Sequence, residues 1–400
     1  MLQAGVFTRE GDMGGGLMRS GLASAAAVLG LCLASPARAD LTVGFVTSLS
    51  GPASSLGVLY GRGINAAYEY RSEVGGKRIT LIQLDDGSDP ATATRNARKL
   101  VQENHVDVLV GTSSATSTIA MAAVAAELHV PLIAISPIPP ATGTAGDRWV
   151  AAVPQTPQLM IKAITDRMVR DQAHSIGYIG FADPWGDLVH NGAKAAEDRK
   201  DILLTANERY ARTDTSVTGQ VLKLVATRPD GVLDGGSGTQ AALPLLALAD
   251  RGYKGKLYGT PALVNADFIR IAGKAANDVQ VSAGPVIVAD QLPDGHYAKA
   301  ISLAFRQAYQ KVHGIPTTDG FSAYSFDAWL ILTDAAKRAM ASAKPGTPEF
   351  NLALRDALFS TTELAGTEGI YNFTQASSYG VDERSLIILR LVNGQWTYAP

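Results

Sequence analysis

Val106–Pro137 reads VDVLVGTSSATSTIAMAAVAAELHVPLIAISP, and its pattern decides the fold class. Val106–Val110 and Pro131–Ile135 are short, apolar but for Asp107, and lack the alternation of a half-exposed sheet, the signature of strands buried on both faces. Between them Thr116–Leu128 reads as a helix, preceded by a loop of small polar residues. Strand, loop, helix and strand in about 30 residues make a crossover unit, which joins parallel strands in a right-handed sense.

The same grammar runs outward in both directions. Upstream, Leu41–Thr47 (LTVGFVT) and Arg78–Leu84 (RITLIQL) read as buried strands, with helical patterns at Gly61–Ser72 and Ala91–Glu103. In the latter, Ala93, Ala97, Leu100 and Val101 repeat on one face while Arg95, Arg98 and Lys99 face away. After Val153-Pro154 the alternation restarts with helix Pro157–Arg170, strand Ser175–Phe181, helix Gly186–Arg199 and strand Ile202–Tyr210. Helix Ser216–Thr227, strand Asp230–Leu233, helix Thr239–Arg251 and strand Lys256–Gly259 follow. Two such runs predict an α/β protein of two doubly wound lobes, each a sheet with helices on both faces. Beyond strand Val279–Ala283 come three helical stretches in a row, Tyr297–His313, Gly320–Met340 and Glu349–Leu358. They are expected to pack on the first lobe. Strands at Gly369–Phe373 and Ser385–Val392, the latter running into Trp396, then carry the chain back.

Composition narrows the function classes. At 46% hydrophobic and 18% charged, the 400 residues supply more than one core. The formal net charge is −2 and no Lys/Arg run exceeds two residues, which argues against nucleic acid or an anionic membrane as partner. Near the N-terminus, Arg19 precedes the uncharged run Gly21–Leu33 and the small-x-small triplet Ala37-Arg38-Ala39. Residues 1–39 therefore read as a cleavable export signal, with the mature chain beginning at Asp40. The apolar run falls short of the ~20 residues of a spanning helix. Cys32, the single cysteine, lies inside this segment, so the mature chain offers no thiol nucleophile, Cys-bound zinc or disulfide.

In open α/β sheets ligands bind beyond the carboxyl ends of the strands. Four loops at such positions are rich in small polar residues: Ser48–Gly57, Gly111–Thr118, Ser136–Thr142 and Gly235–Thr239. The second opens a helix whose free N–H groups, flanked by Ser114 and Thr116, suit a carboxylate. The same hydroxyls also serve as ordinary caps. Enzyme signatures fail one by one. Gly235-Gly236-Ser237-Gly238 approaches a nucleophile elbow, but Thr239 stands where G-x-S-x-G needs glycine. No G-x-G-x-x-G follows the first strand, no Walker Gly-Lys-Ser/Thr occurs, and the six histidines lack metal-ligand spacing. Asp85-Asp86 reads as a partner of a neighbouring turn. Binding without a cofactor is expected.

Val46–Gly57 (VTSLSGPASSLG), Asp85–Pro90 (DDGSDP) and Gly111–Pro137 resemble the bacterial leucine/isoleucine/valine-binding proteins, and Phe181–Leu188 (FADPWGDL) and Tyr324–Leu330 (YSFDAWL) extend the likeness. The resemblance implies a type I periplasmic-binding fold: two doubly wound lobes joined by a three-strand hinge, closing on a small solute for an ABC permease. On that reading residues 40–154 plus 286–370 form the first lobe, and 155–285 plus 371–400 the second. A periplasmic monomer is expected.

Carried over by resemblance, the family's carboxylate loop falls on Ser114, Ala115 and Thr116. Its ammonium-binding loop falls on Ser136, Pro137, Ile138, Pro139 and Pro140. The first-lobe aromatic falls on Leu56, a second-lobe tyrosine on Trp185, and a second-lobe loop on Gly235, Gly236 and Ser237. The acidic partner of the ammonium falls on or beside Pro261, and Tyr324 or Phe326 occupies the returning helix. The family's pair of half-cystines falls near Ser88 and Ser114. An α-ammonium in a closed cleft needs an anion, because a desolvated, unpartnered charge costs several kcal/mol. Proline at 261 and Ile138 among prolines do not supply one. The expected cargo is therefore an aromatic or other hydrophobic carboxylate. A branched-chain amino acid or amide receptor, or a ligand-sensing module of the same fold, is the alternative.

Overall fold

Leu41–Thr47 forms strand β1, buried at every position but Thr42, as expected of a run flanked by helices on both faces. The computed structural model describes residues 41–139, 148–317 and 319–399, so the predicted export signal lies outside the described residues. From β1 the chain builds α1 (Ser54–Tyr70), β2 (Glu73–Val74), β3 (Lys77–Asp85), α2 (Pro90–Gln102), β4 (Val108–Gly111), α3 (Ala115–Leu128), β5 (Leu132–Ala134) and β6 (Val150–Ala152). Among the described residues these strands form a six-stranded sheet in the order β2-β3-β1-β4-β5-β6. Only β2 runs antiparallel, as a hairpin with β3. Alternate strand residues feed two cores. Val43 and Phe45 pack on the α1 side, whereas Val46, Leu109 and Leu132 meet Ala97 and Leu100 of α2 and Met121 of α3.

The second lobe follows as α4 (Pro157–Arg170), β7 (Ser175–Phe181), α5 (Pro184–Asp198), β8 (Leu203–Tyr210), α6 (Thr218–Ala226), β9 (Gly231–Gly235), α7 (Ala242–Asp250), β10 (Lys256–Gly259), α8 (Ala266–Ala272) and β11 (Gln280–Ala283). Helix α9 (Tyr297–His313) and α10 (Gly320–Ala339) then return to pack on α1, and α11 (Pro348–Leu358) packs on α10. The ribbon β12 (Leu364–Ala365) and β13 (Ile370–Tyr371) follows, then β14 (Ile387–Val392) and β15 (Gln395–Tyr398). The last two complete a seven-stranded sheet, β15-β14-β11-β10-β9-β7-β8. The chain thus passes between the sheets three times, giving two doubly wound lobes joined by three segments.

Several boundaries depart from the sequence expectation. Helix α1 starts at Ser54, ahead of the expected Gly61. Its glycines are not helix breakers here but points of close approach. A Cβ on Gly57 would lie 1.8 Å from the Ser48 carbonyl oxygen, and one on Gly63 2.1 Å from that of Ser322. The last strand does not run on into Trp396. Asn393 and Gly394, both at positive φ (50° and 76°), turn the chain so that β15 pairs antiparallel with β14. Strand β6 and helix α8 were not expected; three and seven residues are too short to show a period.

Helix α10 is buried almost all round, and it buries a charge-bearing residue, Asp327. That carboxyl accepts from the Thr367 amide (2.8 Å) and hydroxyl (2.8 Å), the Glu368 amide (2.9 Å) and the Tyr371 hydroxyl (2.7 Å). Burial nevertheless pushes it up to about 6, with these bonds working the other way. The four donors fix the β12–β13 ribbon to α10.

Candidate functional site

The carboxyl ends of both sheets face a cavity of ≈ 40 Å³ between the lobes. Leu56 and Tyr60 of α1, Ser113, Ser114 and Ala115 ahead of and within α3, Ser136, Pro137 and Phe321 line it from the first lobe. Trp185, Arg212, Ser237 and Ala262 line it from the second. Among the described residues no Asp or Glu lines it, and no three metal-ligating side chains cluster anywhere.

On the first lobe, β4 ends at Gly111 and α3 begins after Ser114, whose side chain accepts from the Ser117 amide at 3.2 Å. That cap leaves the first-turn amides of Ala115 and Thr116 without an intrahelical acceptor. The loop is braced from behind. Ser113 Oγ lies 2.7 Å from Thr47 Oγ1 and accepts from the Ser48 amide at 2.9 Å. Asp86, fully buried, accepts from Ser48 Oγ (2.6 Å), Thr112 Oγ1 and the Ser88 amide. Asp85 accepts from the Gly87 amide (2.8 Å), Ser50 Oγ (2.7 Å) and the Leu49 amide (2.8 Å), bonds that hold it below the ordinary carboxylate range despite partial burial. Both acids therefore hold turns and stay out of the cavity. Tyr60 meets Phe321 edge-on, ring centroids 5.5 Å apart, and its hydroxyl bonds to no described residue. Burial, followed by the charges of Asp319 and Glu368, keeps that phenol protonated.

On the second lobe, Asp183 caps α5 by accepting from the Gly186 amide at 3.1 Å, which sets Trp185 in the first turn. Trp185 Nε1 donates to the Gly236 carbonyl at 3.2 Å, tying the indole to the loop after β9. Arg212 follows β8. Its Nε donates to Asp183 Oδ2 at 2.6 Å, its Nη1 to Ser237 Oγ at 3.0 Å, and its guanidinium lies 4.0 Å from the Phe181 ring centroid. Its Nη2 donates to no described residue. Asp183 is paired with this cation and so is not free to meet an ammonium.

The structure brings together Leu56, Ser114, Ala115, Ser136, Pro137, Trp185 and Ser237 of the residues expected at the site. Others stand back. Thr116 is half-buried behind Ala115, and Gly236 contributes its carbonyl to Trp185. Ile138 is pinned by Tyr379, whose hydroxyl accepts from its amide (2.9 Å) and donates to its carbonyl (2.5 Å), and its side chain joins the core. Pro140 lies outside the described residues. Pro261 opens a 3-10 turn whose next residue, Ala262, reaches the cavity instead. Tyr324 donates to Gln155 Oε1 at 2.6 Å, and Phe326 packs between Tyr70 and Phe305 in the first-lobe core. Arg212, Tyr60 and Phe321 were missed. Arg212 had a signal: it stands two residues past a strand's carboxyl end, where ligand contacts gather.

A family profile described as periplasmic binding protein matches residues 40–391. An extracellular ligand-binding receptor from Rhodopseudomonas palustris HaA2 is 41% identical, with a TM-score of 0.86 over 90% of this chain and 100% of that one. A Leu/Ile/Val-binding protein homolog from Brucella melitensis is 22% identical over 64% of this chain and 70% of its own length. A solute-binding protein of an ABC transporter from R. palustris, solved in complex with benzoate, shares the fold at a TM-score of 0.73 and 19% identity, over 90% of this chain and 95% of that one.

Proposed function

The chain belongs to the periplasmic binding protein family, and from its cleft we propose that in the periplasm it captures a small aromatic or other hydrophobic carboxylate between the lobes for delivery to a membrane ABC permease. The observation that carries this reading is Arg212. It is the one charged group lining the cavity among the described residues, and it faces a helix start with unused amides across the cleft. A carboxylate between them gains charge-assisted hydrogen bonds from both lobes, which favours the closed form. Trp185, Tyr60, Phe321 and Leu56 supply the apolar remainder, suited to a planar ring. An amino acid's ammonium would be desolvated there beside a cation. The benzoate complex of the R. palustris relative supports the same cargo class, and the name of the B. melitensis relative supports the alternative, a branched-chain amino acid.

A thermal-shift screen of the protein with benzoate, cinnamate, leucine, isoleucine and valine separates the two. A ligand at about 100 times its dissociation constant adds about 2.7 kcal/mol of stability. The aromatic carboxylates are expected to raise Tm and the amino acids to leave it unchanged. The reverse pattern would replace this reading with amino-acid capture.

A further inference from the structure

Gln155 stands in the first passage between the lobes, Gly284 in the second and Ser385 in the third. Glu368 meets the first two directly and the third through Gln155. Gln155 Nε2 donates to the carbonyls of Glu368 (3.1 Å) and Ser385 (3.3 Å), which occupies both of its protons. Glu368 is 1% exposed, and neither of its carboxyl oxygens has a hydrogen-bond partner among the described residues. Both press on backbone: a Cβ on Gly284 would sit 1.5 Å from Oε2, and one on Gly320 3.1 Å from Oε1.

The groups that act on this carboxyl are acids and phenols. Asp327 and Tyr324 face it from α10 and Asp319 from that helix's cap. Tyr60 of α1, Tyr297 of α9 and Tyr371 of β13 complete the surroundings. Burial, then the charge of Asp327, holds Glu368 well above the usual carboxylate range; the nearby Gln155 amide eases this and Asp319 adds to it. A buried carboxyl without a hydrogen-bond partner among the described residues therefore sits where the three linking segments converge.

We propose that Glu368 couples lobe closure to protonation: closing takes up one proton from solvent onto its carboxyl, and parting the lobes wets the group and releases it. This rests on closure being the working motion, not on the identity of the cargo. Water reaching the hinge returns Glu368 to ordinary carboxylate behaviour, so the closed form binds one proton more than the open form. Above the usual carboxylate range each pH unit then lowers the closed-to-open ratio by up to about tenfold.

Small-angle scattering of the ligand-free protein from about pH 5 to about pH 9 tests this. The wild-type radius of gyration is expected to rise with pH, and Glu368→Gln, neutral throughout, is expected to hold one value. An unchanging wild type, or a variant that keeps the wild-type response, would overturn the proposal. Should Glu368→Gln not fold, wild-type titration with benzoate in buffers of low and high ionisation enthalpy decides: heats that differ by proton uptake support the coupling, and equal heats overturn it. Absence of any benzoate heat counts against the cargo reading alone, and wild-type scattering still decides the coupling.

Discussion

Arg212 is held on two sides, by Asp183 and by Ser237, so on the proposed reading it would meet a ligand already oriented. Hydrogen bonds to charged groups contribute about 1.5–3 kcal/mol each. Arg212→Gln should therefore weaken benzoate or cinnamate by about 10- to 100-fold in calorimetric titration, and an unchanged Kd would remove Arg212 from the site. Asp234 sits just behind the same loop. It is fully buried, accepts among the described residues only from the Gly236 amide (2.7 Å), and burial pushes it up from 3.8 to about 8. A folded value above the unfolded one means its stabilising contribution is complete below about 3.8 and is lost as pH rises to about 8. Asp234→Asn keeps the acceptor for Gly236 and cannot ionise, so its Tm should decline less than that of wild type across this window. Parallel Tm profiles would contradict the assignment.

At the scale of elements, the loop between β9 and α7 meets the start of α1 across the cleft. Gly238 has φ of 61°, and a Cβ there would lie 2.7 Å from Ser55 Oγ. Left-handed backbone costs a residue with a side chain about 1–2 kcal/mol, and the contact adds to that only when the lobes are closed. Gly238→Ala should thus lower ligand affinity more than it lowers the Tm of the ligand-free protein; equal losses would mean that the loop has no part in closure. Elements of this kind were unevenly legible. The bounds of β1, β7, β10, α4 and α9 follow directly from their residues, because apolar runs, Thr156-Pro157 and His313-Gly314 mark where they start and stop. The Asn393-Gly394 hairpin is equally legible by its turn chemistry, which outweighs the largely apolar run that suggests an unbroken strand into Trp396. The early start of α1 was not legible, since its glycines answer to Ser48 and Ser322, neighbours that only the tertiary fold supplies.

For the whole molecule, two alternating βα runs were enough to give two lobes, because parallel sheets leave few ways to cover both faces. The site was half legible for a related reason. Loops at strand ends announce themselves by position, so Ser114, Ala115, Trp185 and Ser237 came together. Arg212 carried the same positional signal, but the direction of a side chain leaving irregular backbone does not follow from its position, so it was missed while Phe326, on the buried α10, was drawn in. Among the described residues this cleft is lined by one cation and no acid, and on the proposed reading it would sort ligands by charge before shape. The most direct test is calorimetric titration of the protein with 3-phenylpropanoate and with phenylalanine, which share ring, chain length and carboxylate and differ by the α-ammonium. Measurable binding of the phenylpropanoate with phenylalanine weaker by at least about tenfold is the predicted result. Phenylalanine binding as tightly or more tightly would contradict a cleft built for carboxylates without an ammonium.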